Sequence, residues 1–144
     1  MTAKEYLGTI RRNENLIHAW KKELKRIKAE SVYLSAVRYD RDVVQTSGNH
    51  DGMKRSDIIA DLERSIGRMV AQLTLERNRI IDEIGQLDNP LYVDILLLRY
   101  VQLISFDNIA ALVNLSYSRT AHLHGEALEA FANKFLRPAK DSKK

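Results

Sequence analysis

Apolar residues recur along the first part of the chain at helical spacing. Ile10, Ile17 and Leu24 fall seven apart, with Trp20 and Ile27 at intermediate positions. A turn takes about 3.6 residues, so this repetition gathers side chains on one helix face. Thr2 followed by Glu5 has the form of a capping box, and the pattern predicts a helix over roughly 3–36. A second series, Ile59, Ile66, Leu73, Ile80 and Leu87, repeats the seven-residue spacing, with Leu62, Met69 and Ile84 beside it. It predicts a helix over roughly 57–87. Between the two lies TSGNHDGMKRS, residues 46–56, whose glycines and turn formers predict a loop within about 40–56. Residues 1–87 are therefore expected to form a coiled-coil-like antiparallel hairpin, an oligomerisation arm whose outward apolar stripe pairs with another chain.

The pattern changes after residue 87. Asn89 can cap a helix whose first position is Pro90, where the missing N–H costs nothing. PLYVDILLLRYV, FDNIAALV and YSRTAHLHGEALEAFANKF then read as three shorter helices. Pro138 ends the last of them before a polar tail, 139–144. No segment shows the period-two alternation of a strand. The expected fold is all-α, an N-terminal helical hairpin over 1–87 followed by a C-terminal helix-turn-helix domain over 88–138.

Composition narrows the chemistry. The chain has no cysteine, which excludes disulfides, thiolate metal sites and a cysteine nucleophile. No apolar run approaches the roughly 18 residues of a membrane span, and the N-terminal residues lack the apolar core of a signal peptide. A cytoplasmic protein without a membrane partner is expected. Net charge is +4, a mild excess compatible with nucleic acid. Residues 1–40 carry nine Lys and Arg against five Asp and Glu, whereas residues 88–144 carry seven against six. The excess sits in Lys21, Lys22, Lys25, Arg26 and Lys28, which read as a solvated face slightly before a DNA contact.

The stretch FDNIAALVNLSYSRTAHLHG, from Phe106 to Gly125, meets the demands of a helix-turn-helix. Ile109 and Ala110 supply an inward apolar residue followed by a small one where helices cross, and Val113 closes that face. Asn114 tolerates the left-handed conformation of a tight turn, Leu115 plugs the turn, and Ser116 caps the next helix. Thr120 and Leu123 fall on the inner face of that helix. Ser118, Ala121, His122 and Gly125 fall on its outer face, the one a recognition helix turns to the major groove. Ala121 suits a thymine methyl, and Tyr117 and Arg119 flank the face where phosphates would lie.

His122 and His124 invite a metal reading, which geometry rejects. Two residues apart, they point about 200° away from each other, whereas a helical metal pair needs a spacing of three or four. His124 instead falls at the core boundary with Leu128 and Phe131. Asn49, His50, Asp51 and Asp57 lack calcium-loop spacing and read as turn chemistry. Phosphate-loop, dinucleotide and nucleophile-elbow motifs are absent, and Asp61, Glu63, Asp82 and Glu83 do not converge. No enzyme activity, metal or cofactor is expected.

The stretch FDNIAALVNLSYSRTAHLHGEAL resembles the DNA-binding helix-turn-helix of sigma-70 region 4. The chain as a whole is similar to the RinA/ArpU-type late-gene activators of phages. The similarity runs through YL near the N-terminus, a lysine-rich helix, Val44-Gln45-Thr46-Ser47, Leu96 to Tyr100 and Leu123 to Leu128. This resemblance implies a phage or prophage regulator that activates packaging and morphogenesis genes. It places base-contacting positions at Tyr117, Ser118, Ala121 and His122, and with Ser116 and Arg119 these are the candidate DNA-binding residues. Sigma factors usually carry charged or amide side chains at several of these positions, so their promoter preference does not transfer. Asn114 stands where the family usually has glycine. The expected partners are double-stranded DNA and a second copy of the chain, a dimer above all. Two rivals remain: a small terminase subunit, whose DNA-binding domain usually comes first, and a helical adaptor binding host RNA polymerase without DNA.

Overall fold

The computed structural model describes the backbone of residues 1–42 and 50–137, and side chains of residues 1–33 and 56–137. The Val44–Ser47 motif, Asn49, Pro138 and the tail 139–144 lie outside the described residues, as do the side chains of His50 and Asp51. Five helices follow in order: α1 (Ala3–Asp42), α2 (His50–Gly85), α3 (Pro90–Leu96), α4 (Phe106–Val113) and α5 (Tyr117–Phe131). α3 runs on into a wider π-type turn over Leu97–Val101, and α5 does the same over Ala132–Leu136. Among the described residues there is no strand, and the fold is all-α.

Local chemistry sets the helix starts. The backbone N–H of Thr2 donates to Glu5 Oε2 at 2.7 Å, while the Glu5 N–H donates to Thr2 Oγ1 at 3.2 Å, a reciprocal capping box. Asn89 Oδ1 accepts from the Leu91 N–H at 3.0 Å, with Pro90 opening α3 as its fixed φ allows. Both helices of the N-terminal half are longer than the apolar pattern predicts. α1 continues to Asp42, and α2 begins at His50, so residues 50–56, expected as loop, are helical. Gly52 and its polar neighbours thus fall in the opening turns of α2. A glycine there costs about 1 kcal/mol, which weakens a helix without stopping it.

The chain forms two compact units, one of Met1–Glu14 with Leu75–Lys144 and one of Asn15–Thr74. This division does not follow the boundary expected at residue 88. The first turns of α1 and the last turns of α2 bury their apolar faces against α3 and α5, because Leu7, Ile10, Ile80 and Ile84 share a core with Leu96, Ala127 and Phe131. Leu7, Ile10, Ile84, Leu96 and Phe131 have no solvent exposure, and each such side chain contributes about 1.5–3 kcal/mol. Tyr6 donates its hydroxyl to Glu83 Oε2 at 2.8 Å, and burial with that hydrogen bond raises its pKa to about 12. Arg77 lies 3.7 Å from Glu14, so the two segments run antiparallel. Lys134 donates to the Gln86 carbonyl, satisfying a backbone acceptor at the end of α2. Asn13 interrupts the apolar seam: it is buried, and its Nδ2 has no hydrogen-bond partner among the described residues.

A second cluster of Ile95, Ile109 and Leu123 binds α3, α4 and α5 together, with Leu98, Ile104, Phe106, Val113 and Leu115 packed on it. In the unit of residues 15–74, Ile17, Ile27 and Ile66 are buried, and Leu24 and Lys28 line a groove with Ala60, Glu63 and Arg64. Leu62 and Met69, which belong to the apolar repeat, are exposed instead of buried.

The link between α3 and α4 contains a leucine in the left-handed region, Leu103 at φ 57°. It lets the Ile104 N–H turn back to the Leu98 carbonyl at 3.0 Å, closing the wide turn. A left-handed non-glycine residue costs roughly 1–2 kcal/mol, and Leu103 is 47% exposed, so little packing offsets that cost. Leu103→Gly is therefore expected to raise stability by about 0.5–1 kcal/mol once the added freedom of the unfolded chain is deducted. The check is the midpoint of urea unfolding followed by circular dichroism; a lower midpoint would show that the leucine side chain packs better than its exposure indicates.

Candidate nucleic-acid interface on α5

α4 and α5 are joined by a turn that the side chains at its corners specify. Asn114 ends α4 in the left-handed conformation, φ 56° and ψ 41°, which asparagine adopts more readily than any other residue except glycine. Its N–H reaches back to the Ala110 and Ala111 carbonyls, and the Leu115 N–H returns to the Ala110 carbonyl at 3.0 Å. Ser116 then caps α5, its Oγ accepting from the Arg119 N–H at 3.1 Å. Ser105 caps α4 in the same way, its Oγ accepting from the Asn108 N–H at 3.4 Å, a cap that the apolar pattern from Phe106 onward does not signal. These caps each contribute about 1 kcal/mol and fix where the two helices begin.

The inward residues are those that helical spacing predicts. Ile109 and Thr120 are fully buried, Ala110 and Leu123 nearly so, and Val113 and Leu115 pack on the cluster they close. Thr120 spends its hydroxyl on the Ser116 carbonyl at 2.9 Å, so a buried polar group sits there satisfied. The outward residues are Tyr117, Ser118, Arg119, His122 and Gly125, all exposed, with Ser116 exposed at the cap. Ala121 departs from the expectation: it is half-buried, on the shoulder of the face rather than its crest.

Two networks hold this face in place, and both reach across the fold. Phe106 is the hub of the first. The Arg99 guanidinium lies over its ring at 4.4 Å, the His124 ring meets it edge-on at 4.9 Å, and the Tyr117 ring does so at 6.2 Å. Arg99 also donates to the Ile104 carbonyl at 3.2 Å, tying the α3–α4 link to the same hub. His124 stacks on Tyr100 at 5.7 Å, with its Nε2 3.0 Å from the Tyr100 hydroxyl. Its position at the core boundary is as expected, but its role is to connect the end of α3 with α4 and α5. The second network runs along the outside. The Tyr92 hydroxyl donates to Glu126 Oε2 at 2.9 Å, while Glu126 Oε1 lies 3.0 Å from His122 Nε2. The His122–Glu126 spacing of four is visible in the sequence, whereas the tyrosine 34 positions away is not.

The outer face of α5 thus offers a guanidinium at Arg119, an imidazole at His122, hydroxyls at Ser118 and Tyr117, and a carboxylate at Glu126. It is polar, narrow and close to neutral. Among the described residues, no three His, Cys, Asp or Glu side chains are placed to hold a metal ion. Among them also, no helix is long and apolar enough to cross a membrane. Compared with protein-family models, with curated proteins and with solved structures, the chain matches none.

His124 makes the geometry sensitive to pH. Burial first, then the nearby charges of Arg99 and Lys4, lower its pKa to about 4 from the usual 6.5. The unfolded chain therefore takes up a proton below about pH 6.5 that the folded chain refuses until about pH 4. Stability contributed by the neutral ring is fully present above pH 6.5 and is lost as pH falls through that window. Allowing for the ring's partial contact with solvent, the loss is on the order of 1–2 kcal/mol. Urea unfolding of the wild type and His124→Gln across pH 4–7 measures it. The difference between the two proteins should shrink toward pH 4, and a pH-independent difference would contradict the burial argument.

Proposed function

We propose that this chain is a sequence-specific DNA-binding protein that regulates transcription, with α5 as its recognition helix. The observation that carries the reading is the pairing of α4 and α5 through a left-handed Asn114 and a capping Ser116. With Thr120 and Leu123 turned inward, that turn leaves Tyr117, Ser118, Arg119 and His122 outward at the helix N-terminal end. A helix presented in this way fits the major groove, and its first turns reach base edges. Ser118 and His122 are the base-reading side chains, Ala121 meets the groove wall from the shoulder, and Arg119 and Tyr117 take phosphates. Ser116 binds a phosphate through the helix end it caps.

The resemblance to phage late-gene activators supports packaging and morphogenesis genes as the targets, in the cytoplasm of a bacterial host. The reading requires no cofactor and no catalytic step. Six candidate positions with one arginine among them make few phosphate contacts, so a single copy binds weakly and self-association strengthens the complex.

Glu126 favours a second reading. Its carboxylate stands on the outer surface of α5 beside His122, where it would repel phosphate and suit a basic protein surface. On this reading the chain is a helical adaptor that docks on another protein, RNA polymerase among the candidates.

Selection from a random double-stranded DNA library, followed by fluorescence anisotropy on the enriched sequence at two salt concentrations, separates the two. DNA recognition predicts an enriched motif. Ser118→Ala with His122→Ala should then weaken that site by tenfold or more, at about 1–3 kcal/mol per base contact. Arg119→Ala should weaken all sequences alike and flatten the salt dependence by about one phosphate. No enrichment, with binding unchanged by these substitutions, would leave the adaptor reading.

A further inference from the structure

Three apolar side chains on α2 point into solvent on one line. Ile58, Leu62 and Met69 are 58%, 45% and 39% exposed, although the same helix buries Ile66. At about 100° per residue, Ile58, Leu62, Ser65 and Met69 fall within roughly 60° of arc, a continuous stripe with one small residue in it. A lone exposed leucine needs no explanation, but an apolar stripe over three turns marks a surface that another chain covers.

The charges along its edge say which chain. Asp57 and Asp61 precede Ile58 and Leu62, while Arg64 and Arg68 precede Ser65 and Met69. All four are exposed and lie on the same edge of the stripe, acidic in its first half and basic in its second. The one contact the structure gives between them is Arg64 to Asp61 at 3.1 Å, a solvated pair that costs little to exchange. A segment with this polarity complements itself when reversed. A two-fold beside Leu62 seats Ile58 of one copy between Ser65 and Met69 of the other. It also sets Asp57 opposite Arg68 and Asp61 opposite Arg64, twice over. Parallel pairing instead puts the two charged edges on opposite sides of the seam, where these Asp–Arg pairs do not form.

We propose that this stripe is the seam of an antiparallel homodimer, joined by α2 residues 57–69 of two copies. The contact is short, about four turns of helix per copy, which places it at the small end of specific interfaces and makes it reversible. The seam stands independently of the DNA-binding reading.

The test is the mass of the full chain in solution without DNA, by sedimentation equilibrium over a wide concentration range, with helix content checked by circular dichroism. Wild type should pass reversibly from monomer to dimer, and Leu62→Glu should raise the dissociation constant at least tenfold. Asp57→Arg with Asp61→Arg makes the edge wholly basic, and Arg64→Asp with Arg68→Asp makes it wholly acidic. Each of these double variants should be monomeric alone, and an equal mixture should dimerise again. If a double reversal costs helix, Asp61→Arg mixed with Arg64→Asp gives the same readout. A wild type that stays monomeric throughout would overturn the proposal and assign the stripe to a different chain. A dimer indifferent to these substitutions, or reversed variants that fail to pair when mixed, would overturn it equally.

Discussion

Burial of Phe131 between Tyr6 of α1 and Phe135 of the turn beyond α5 is the contact on which the folded unit of Met1–Glu14 and Leu75–Lys144 depends. Its ring has no exposed surface, with the Tyr6 ring at 5.8 Å and the Phe135 ring at 4.9 Å. Around it gather Leu7, Ile10, Ile80, Ile84 and Ala127, so the last turn of α5 is packed against both long helices. The C-terminal helices taken alone would leave this aromatic surface open to water, and burying a ring of that size is among the larger single gains a small domain has. The first fourteen residues are thus part of the domain that carries the candidate site.

Fixing the far end of α5 has a consequence at its near end. A helix of fifteen residues is a stiff rod, and its outer face is aimed by whatever holds its inner one. Phe131 and Ala127 hold the C-terminal half in one core, while Leu123 holds the N-terminal half against Ile95 and Ile109, with Thr120 buried one turn before it. His124 lies between the two, bridging Tyr100 and Phe106. Tyr117 is then steadied by the same Phe106 ring. Tyr117 is thereby positioned by packing and His122 by its contact with Glu126, while the Ser118 and Arg119 side chains are exposed.

Much of this architecture is legible in the sequence wherever the cause is local. The Thr2–Glu5 box, the Asn89–Pro90 start, the left-handed Asn114 and the Ser116 cap each act within four residues, and each is found where the sequence places it. The inward set of Ile109, Ala110, Thr120 and Leu123 follows from helical period alone. What escapes the sequence is of two kinds. One is long-range: Tyr6 with Glu83 and Tyr92 with Glu126 join positions that no periodicity relates. The other is where local signals mislead. Leucine carries no hint of a positive φ, yet Leu103 adopts one to close the turn before α4. Glycine and polar residues at 50–56 signal a loop, and the helix extends through them. The apolar side of α2 is also wider than a two-helix pair covers, so Leu62 and Met69 stay exposed.

That uncovered remainder and the modest charge of α5 bear on the same question. If α5 is a recognition helix as proposed, its one arginine, an imidazole and a neighbouring carboxylate would draw little affinity from phosphates, and additional contacts would be the physical remedy. Pairing through α2 would supply them by bringing a second α5 with the first. The second binding event is then intramolecular, and its strength depends on tethering more than on added contacts. On that reading α5 could remain nearly neutral: a pair of weak, selective faces would discriminate between sequences better than one strongly cationic face, which would bind all DNA alike. On the proposed reading, specificity would come from Ser118 and His122 at the bases, and affinity from the number of copies bound.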